Sequence, residues 1–315
     1  MKAIATYIER AGGLPVGAVA TAVGAATLSN VYSAIGHGGV RYVTMVLVGF
    51  VWLCAIIKLT LHHDKFREEY KNVVPASLYA TVGMLTMILG SFIFDFNETI
   101  GRVIWTAGVI GHFVHILVFT YRNVIKKFDI LTFVPSWFVT YLGLLVSTVV
   151  GVGIGPEWLL NSIVTYGFII YGVLFPAMVI RVIKKPICAP FKLTVGVFLA
   201  PTSLLLVSYL NVFEPISTVV FVLYGILFVS VIYVFAKLVG FLQMGFNPGF
   251  AGYTFPVAIA LVATMRFSAF LVENGYDTLG QLFFHKFSVK IYITTAIISF
   301  VAYNFIKMLK APTAN

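Results

Sequence analysis

Ten apolar runs, each long enough to cross about 30 Å of hydrocarbon, follow one another along this chain. They lie near 13–35, 40–61, 76–94, 100–121, 132–152, 161–181, 192–211, 217–241, 249–271 and 287–307. Backbone polar groups in lipid must be satisfied within the protein, so runs of this kind restrict the chain to an all-α integral membrane fold. Charge agrees: 10% of the residues are charged, against about 25% in a soluble domain. The chain reads as a single transmembrane domain over 1–315. Its start, MKAIATYIERAGG, places Glu9 and Arg10 where a signal peptide has its apolar region, so the first run is expected to remain as a span. Cys54 and Cys188 fall near helix ends, and no disulfide framework is expected.

The loops fall into two sets. One holds HHDKFREEYKNV, RNVIKKFD and RVIKKP with both chain ends, and the other holds IGHGGVR, DFNET, GIGPEW, NVFEP and ENGYDTLGQLFFHKF. About 16 Lys and Arg side with the first set and about 5 with the second, which makes the first set cytoplasmic by the positive-inside rule. The expectation is a multi-pass protein of the inner (plasma) membrane with both termini inside. The net charge of +10 is then a topology signal, or a device concentrating anions at an inner mouth; no nucleic-acid partner is expected. Pro15, Pro75, Pro135, Pro190 and Pro248 stand near the starts of the odd runs, roughly 55 to 60 residues apart, as in a repeated two-helix unit. Odd runs are rich in small residues and even runs are bulkier, so five hairpins could close a quasi-fivefold ring with odd helices inside. A bundle without that symmetry is the alternative.

The ninth run, NPGFAGYTFPVAIALVATMR, carries Pro256 in its interior and Phe255 just before it. A proline removes one helical hydrogen bond, and in lipid the freed carbonyl needs protein or a water-filled cavity beside it. This suggests a broken pore-side helix carrying one large plug, or else a packed helix with an ordinary kink. Pro15, Gly17, Gly83, Pro135, Thr140, Pro201, Thr254 and Pro256 are the candidate pore-lining or kink residues. Thr21, Thr140, Ser203 and Thr254 could offer hydroxyl donors to an anion, although such groups often bond their own backbone. Lys58, Arg102, Lys237 and Arg266 fall toward span ends, where they can snorkel. Arg266 could instead attract anions at an outer mouth. His112 and His115 are either packing residues or a proton relay, and with no further ligands beside them they make no metal site.

GGLPVG (12–17), FREEY (66–70), the GHFVH region, VPSWF (134–138), FLAPTSLLLVSYL (198–210) and above all GYTFP (252–256) resemble the tellurite-resistance/dicarboxylate transporter family. Its relatives include TehA proteins, plant guard-cell slow anion channels, malate permeases and sulfite exporters. The resemblance implies ten transmembrane helices in five hairpins, a central pore lined by the odd helices, and a homotrimer with one pore per subunit. It also implies that Phe255 is the aromatic residue closing the pore. Where TehA-like chains kink the third span with a proline, this chain has Gly83, which weakens a helix by about 1 kcal/mol without forcing a bend. The expected function is a passive channel for chloride, nitrate and similar small anions, gated by Phe255. The alternative is a secondary transporter or exporter of C4-dicarboxylates, sulfite or tellurite-related anions. No nucleophile with a base stands within the runs, so neither an enzyme nor a cofactor is expected.

Overall fold

A computed structural model of the chain describes residues 2–241, 243 and 245–310, and the regular elements among them are helical. A short α1 (Lys2–Ala11) precedes α2 (Val16–Ala34), which begins as Pro15 turns the chain from extended backbone at φ −68° and ψ 140°. Then come α3 (Gly38–Leu61), α4 (His63–Tyr70), α5 (Val73–Leu78), α6 (Ala80–Phe94) and α7 (Glu98–Thr120). The fifth run becomes α8 (Trp137–Leu142), a 3₁₀ turn over Gly143–Leu145, and α9 (Val146–Val150). It is followed by α10 (Glu157–Lys184), a 3₁₀ stretch over Ala189–Phe198, α11 (Leu199–Val212) and α12 (Ser217–Phe241). A 3₁₀ turn at Pro248–Phe250 leads into α13 (Ala251–Glu273), and α14 (Asp277–Lys310) closes the fold.

Among the described residues, 8 helical segments are long and apolar enough to cross a membrane. The other two expected spans are α2, of 19 residues, and the broken stretch Trp137–Val150. The last helix corrects another expectation. Residues 277–287, read as loop, are its first turns: Gly275 ends α13 at φ 81°, and Asp277 opens α14, where an acidic side chain suits the positive end of the helix dipole.

α2 packs on α6 and α13, α13 on α11, α11 on α9, and α9 on α6, so the odd-run elements close a ring. Their small residues permit close approach, and they are the buried elements. In the most apolar stretches of the third, seventh and ninth runs, 72%, 94% and 78% of residues are buried, against 22–33% in the even-run helices α3, α7, α10, α12 and α14. Phe305, late in α14, lies over Gly17 at the start of α2, so the start of α2 and the late part of α14 lie at the same end of the ring. That end is called near below, and its opposite far.

A polar staple fastens the near end. Lys58, expected to snorkel, is buried instead and donates to the Leu14 carbonyl and to Glu69 at 2.6–2.7 Å. The Tyr79 hydroxyl donates to the other Glu69 oxygen at 2.7 Å. The FREEY helix thus supplies a carboxylate that spares the ammonium a solvent partner, since a buried charge needs a hydrogen-bonded counter-ion. Beside it, burial pushes the Tyr70 phenol up to about 12, against a smaller downward pull from Arg122.

Candidate functional site

Phe255 and Pro256 occupy the second turn of α13, where it crosses α2. Pro256 lacks the N–H that would bond the Gly252 carbonyl, and the break is packed in protein: residues 250–261 are all buried. Gly24 of α2 makes the crossing possible. A Cβ there would lie 2.7 Å from the Thr254 carbonyl carbon and 2.8 Å from the Phe255 nitrogen. The backbone carrying Phe255 therefore rests directly on α2.

On the far side of that ring lies a central cavity of about 130 Å³. Thr27, Asn30 and Val31 of α2, Ile88 of α6, Val146, Val149 and Val150 of α9, and Phe255, Ile259, Val262 and Met265 of α13 line it. No lining side chain is ionisable. Phe255 is the lining residue nearest the start of α13 and is 5% exposed, so its ring forms the near-end boundary of the space. At the far end, Arg41 donates from Nε to the Asn30 side-chain oxygen at 2.9 Å and pairs with Asp95 at 2.7 Å. Arg266, exposed and next to Met265, donates to the Asn211 side-chain oxygen at 2.6 Å. Asn211 in turn donates to the Thr148 and Val149 carbonyls of α9 at 3.3 Å. Two guanidiniums thus flank the far approach to an uncharged cavity. Arg41 was not singled out in the sequence, because an arginine at a helix start there looks the same as a topology signal.

The other candidates scatter around the ring. Pro15 starts α2, and Pro135 lies buried in the turn before α8. Pro201 sits in the first turn of α11, just after the change from 3₁₀ to α geometry, where its missing N–H leaves a carbonyl of the preceding 3₁₀ stretch without a helical partner. Gly17 faces Phe305, Ala251 and the Pro248 carbonyl, with gaps to a hypothetical Cβ of 2.9–3.3 Å; it is a helix–helix contact. Gly83 makes no kink. It packs on His112 and Gly108 of α7, and the irregularity of the third span falls at Tyr79, between α5 and α6. The hydroxyl donors are spent on backbone: Thr21 on Gly17, Ser203 on Leu199 and Thr254 on Ala251 at 2.6–2.9 Å, and Thr140 on Ser77 at 3.3 Å. A hydroxyl in a helix reaches the carbonyl one turn back more readily than a lumen. In this conformation all four hydroxyls are engaged with backbone carbonyls.

His112 has a role unread in the sequence. It is buried and donates from Nε2 to the Thr140 carbonyl at 2.9 Å. That carbonyl is exposed by the 3₁₀ turn that interrupts the fifth inner element. Elsewhere, Lys290 of α14 reaches the Thr264 hydroxyl on α13 at 3.2 Å, a basic group well inside the last helix that the expected span boundaries had placed near its edge.

Comparison with known proteins agrees with this architecture. Residues 13–309 match the family model described as voltage-dependent anion channel (SLAC1). The chain is 22% identical over 257 residues to the tellurite resistance protein TehA homolog of Haemophilus influenzae, covering 78% of this chain and 76% of that protein. It is 25% identical over 183 residues to an uncharacterised transporter of Methanocaldococcus jannaschii, and 26% identical over 183 residues to a second one. In those two the match spans about half of the relative's length, 52% and 53%. With a helical ring around an uncharged cavity and a family match over nearly its whole length, the chain belongs to the voltage-dependent anion channel family, a family of membrane transporters and channels.

Proposed function

We propose that this protein is a passive channel for small anions, chloride and nitrate among them, held shut by the ring of Phe255. The observation that carries the reading is the cavity whose near boundary is Phe255 and whose lining holds no ionisable side chain. An anion gripped by a buried arginine would leave slowly, whereas conduction needs weak, distributed attraction. Arg266, exposed and in no ion pair among the described residues, concentrates anions at the far mouth, and oriented backbone dipoles of the broken helices serve them within. Selectivity then follows the cost of dehydration and favours nitrate over chloride. The channel sits in the inner membrane with both termini cytoplasmic, as a homotrimer with one pore per subunit.

A second reading, a carrier of dicarboxylates, sulfite or tellurite-related anions, is favoured by the names transporter and tellurite resistance borne by the relatives. Anion flux in proteoliposomes or currents in oocytes, wild type beside Phe255→Ala, separates the two. Large, non-saturating chloride and nitrate currents appearing in the variant establish a gated channel. Slow, saturable, pH-coupled malate flux in wild type, unimproved or abolished in the variant, makes it a carrier.

A further inference from the structure

A large concavity lies on the outer face between α7 and α10, separate from the central cavity, with a volume of about 930 Å³. Ile110 and Phe113 of α7 and Leu159 and Ile163 of α10 form apolar walls, and Leu144, in the 3₁₀ turn of the fifth inner element, lies at its base. Arg102, in the second turn of α7, stands at one end. The helical segment from Glu98 to Lys126 has 29 residues, about 43 Å at 1.5 Å per residue. That exceeds the roughly 30 Å of hydrocarbon, so the segment projects beyond it, and Arg102 near its start belongs at headgroup level, where a basic side chain is favoured. Trp158, in the first turn of α10 and 68% exposed, belongs to the same level, where tryptophan is favoured.

Arg102 lies over the Phe94 ring at 5.8 Å and has no carboxylate partner among the described residues. A guanidinium that makes no ion pair, one turn after Glu98 in the same helix, and a trough of apolar side chains beside it together describe one kind of ligand: an anionic head with a flexible apolar chain. A second copy of this chain would have to bring an unpaired carboxylate and an apolar surface to the same place, whereas a lipid carries both in one molecule. Arginine suits phosphate through its planar fork of donors, and basic pockets between membrane helices take anionic headgroups.

We propose that an anionic phospholipid binds this groove, its phosphate on Arg102 and one acyl chain laid along α7 and α10 toward Leu144. The chain end would then brace the inner element divided into α8, a 3₁₀ turn and α9, which makes the lipid a structural ligand of the ring.

The test is native mass spectrometry of the delipidated full-length protein titrated with phosphatidylglycerol or phosphatidylcholine. Wild type, Arg102→Gln, the trough-filling Leu159→Trp and the near-end control Arg67→Gln are compared. Wild type and Arg67→Gln should hold phosphatidylglycerol about tenfold more tightly than Arg102→Gln, the worth of one charge-assisted contact. The preference over phosphatidylcholine should vanish in Arg102→Gln, and Leu159→Trp should lose both lipids while eluting unchanged. Equal phosphatidylglycerol binding by wild type and Arg102→Gln would overturn the proposal. So would oligomers that fall apart in Arg102→Gln and Leu159→Trp while the lipid count stays the same, since the groove would then be a contact between copies.

Discussion

Two sides of the inner ring are built by different physics. The crossing of α2 with α13 is held by absence of side chain: Gly24 lets the backbone at Thr254 and Phe255 settle on α2. The fifth element, Trp137–Val150, is held by hydrogen bonds from its neighbours. His112 donates to the Thr140 carbonyl, the Tyr166 hydroxyl to the Tyr141 carbonyl at 3.0 Å, and Asn211 to the Thr148 and Val149 carbonyls. Thr148 also donates to Ser208 of α11 at 2.7 Å. A continuous helix satisfies its own backbone in lipid and can spend its surface on packing. An interrupted one leaves carbonyls bare, and each must be answered by a side chain. The gate candidate therefore sits on the stiff side of the ring, opposite a side that depends on borrowed donors.

The contrast breaks most visibly at its glycines. Gly24→Ala drives a methyl into backbone that cannot yield, so a loss of about 1–3 kcal/mol is expected for the overpacking, read from the unfolding midpoint in detergent. Gly143→Ala meets side chains rather than backbone, the His112 ring at 2.8 Å and the Met84 sulfur at 3.0 Å, so a smaller shift suffices although His112 is held by its hydrogen bond to Thr140. With helix propensity gained, it should stay within about 1 kcal/mol of wild type. Equal losses for the two would erase the distinction.

His112→Phe keeps the ring volume and removes the donor, leaving the Thr140 carbonyl unanswered; about 1–3 kcal/mol should go. Thr148→Val, which cuts one link to α11, should cost about 1 kcal/mol. At the mouth, Arg266→Gln in an open-gate background should lower anion conductance by about two- to threefold at low salt and little at high salt, because such an exposed charge is screened. A salt-independent loss would place this arginine in the permeation path itself. Smallest of all, Thr254→Val should change stability by about 0.5 kcal/mol or less, since its hydroxyl serves its own helix; a collapse of conductance in that variant would return the hydroxyl to the pore.

Much of the ring was legible in the sequence, because hydrophobic length and side-chain size are written residue by residue. The small residues of VGAVATAVGAA and GFAGYTFPVAIA marked inner helices, and the GYTFP stretch marked the residue that bounds the cavity. What stayed hidden depends on partners distant in sequence. Lys58 looks like any snorkelling lysine until Glu69 folds over it, and His112 has no visible task until the Thr140 carbonyl is bared beside it. Among the hydroxyl candidates, Thr21, Ser203 and Thr254 bond a carbonyl about one turn back in their own helix, a partner present in any helix, whereas Thr140 reaches Ser77, distant in sequence. Asp277 was passed over as a helix start because the residues after it, TLGQ, carry little apolar signal.

The central claim is that the bulk of the side chain at 255 sets the conductance. It is tested most directly by single-channel or flux measurements on Phe255→Leu, Phe255→Val and Phe255→Ala, with the unfolding midpoint of each recorded alongside. A pore plug predicts nitrate conductance rising as the side chain shrinks, with stability falling by less than the roughly 3–5 kcal/mol that truncating a core phenylalanine costs. Conductance flat across the series, with stability falling in step with the lost volume, would contradict it and make Phe255 a packing residue of the α2–α13 crossing.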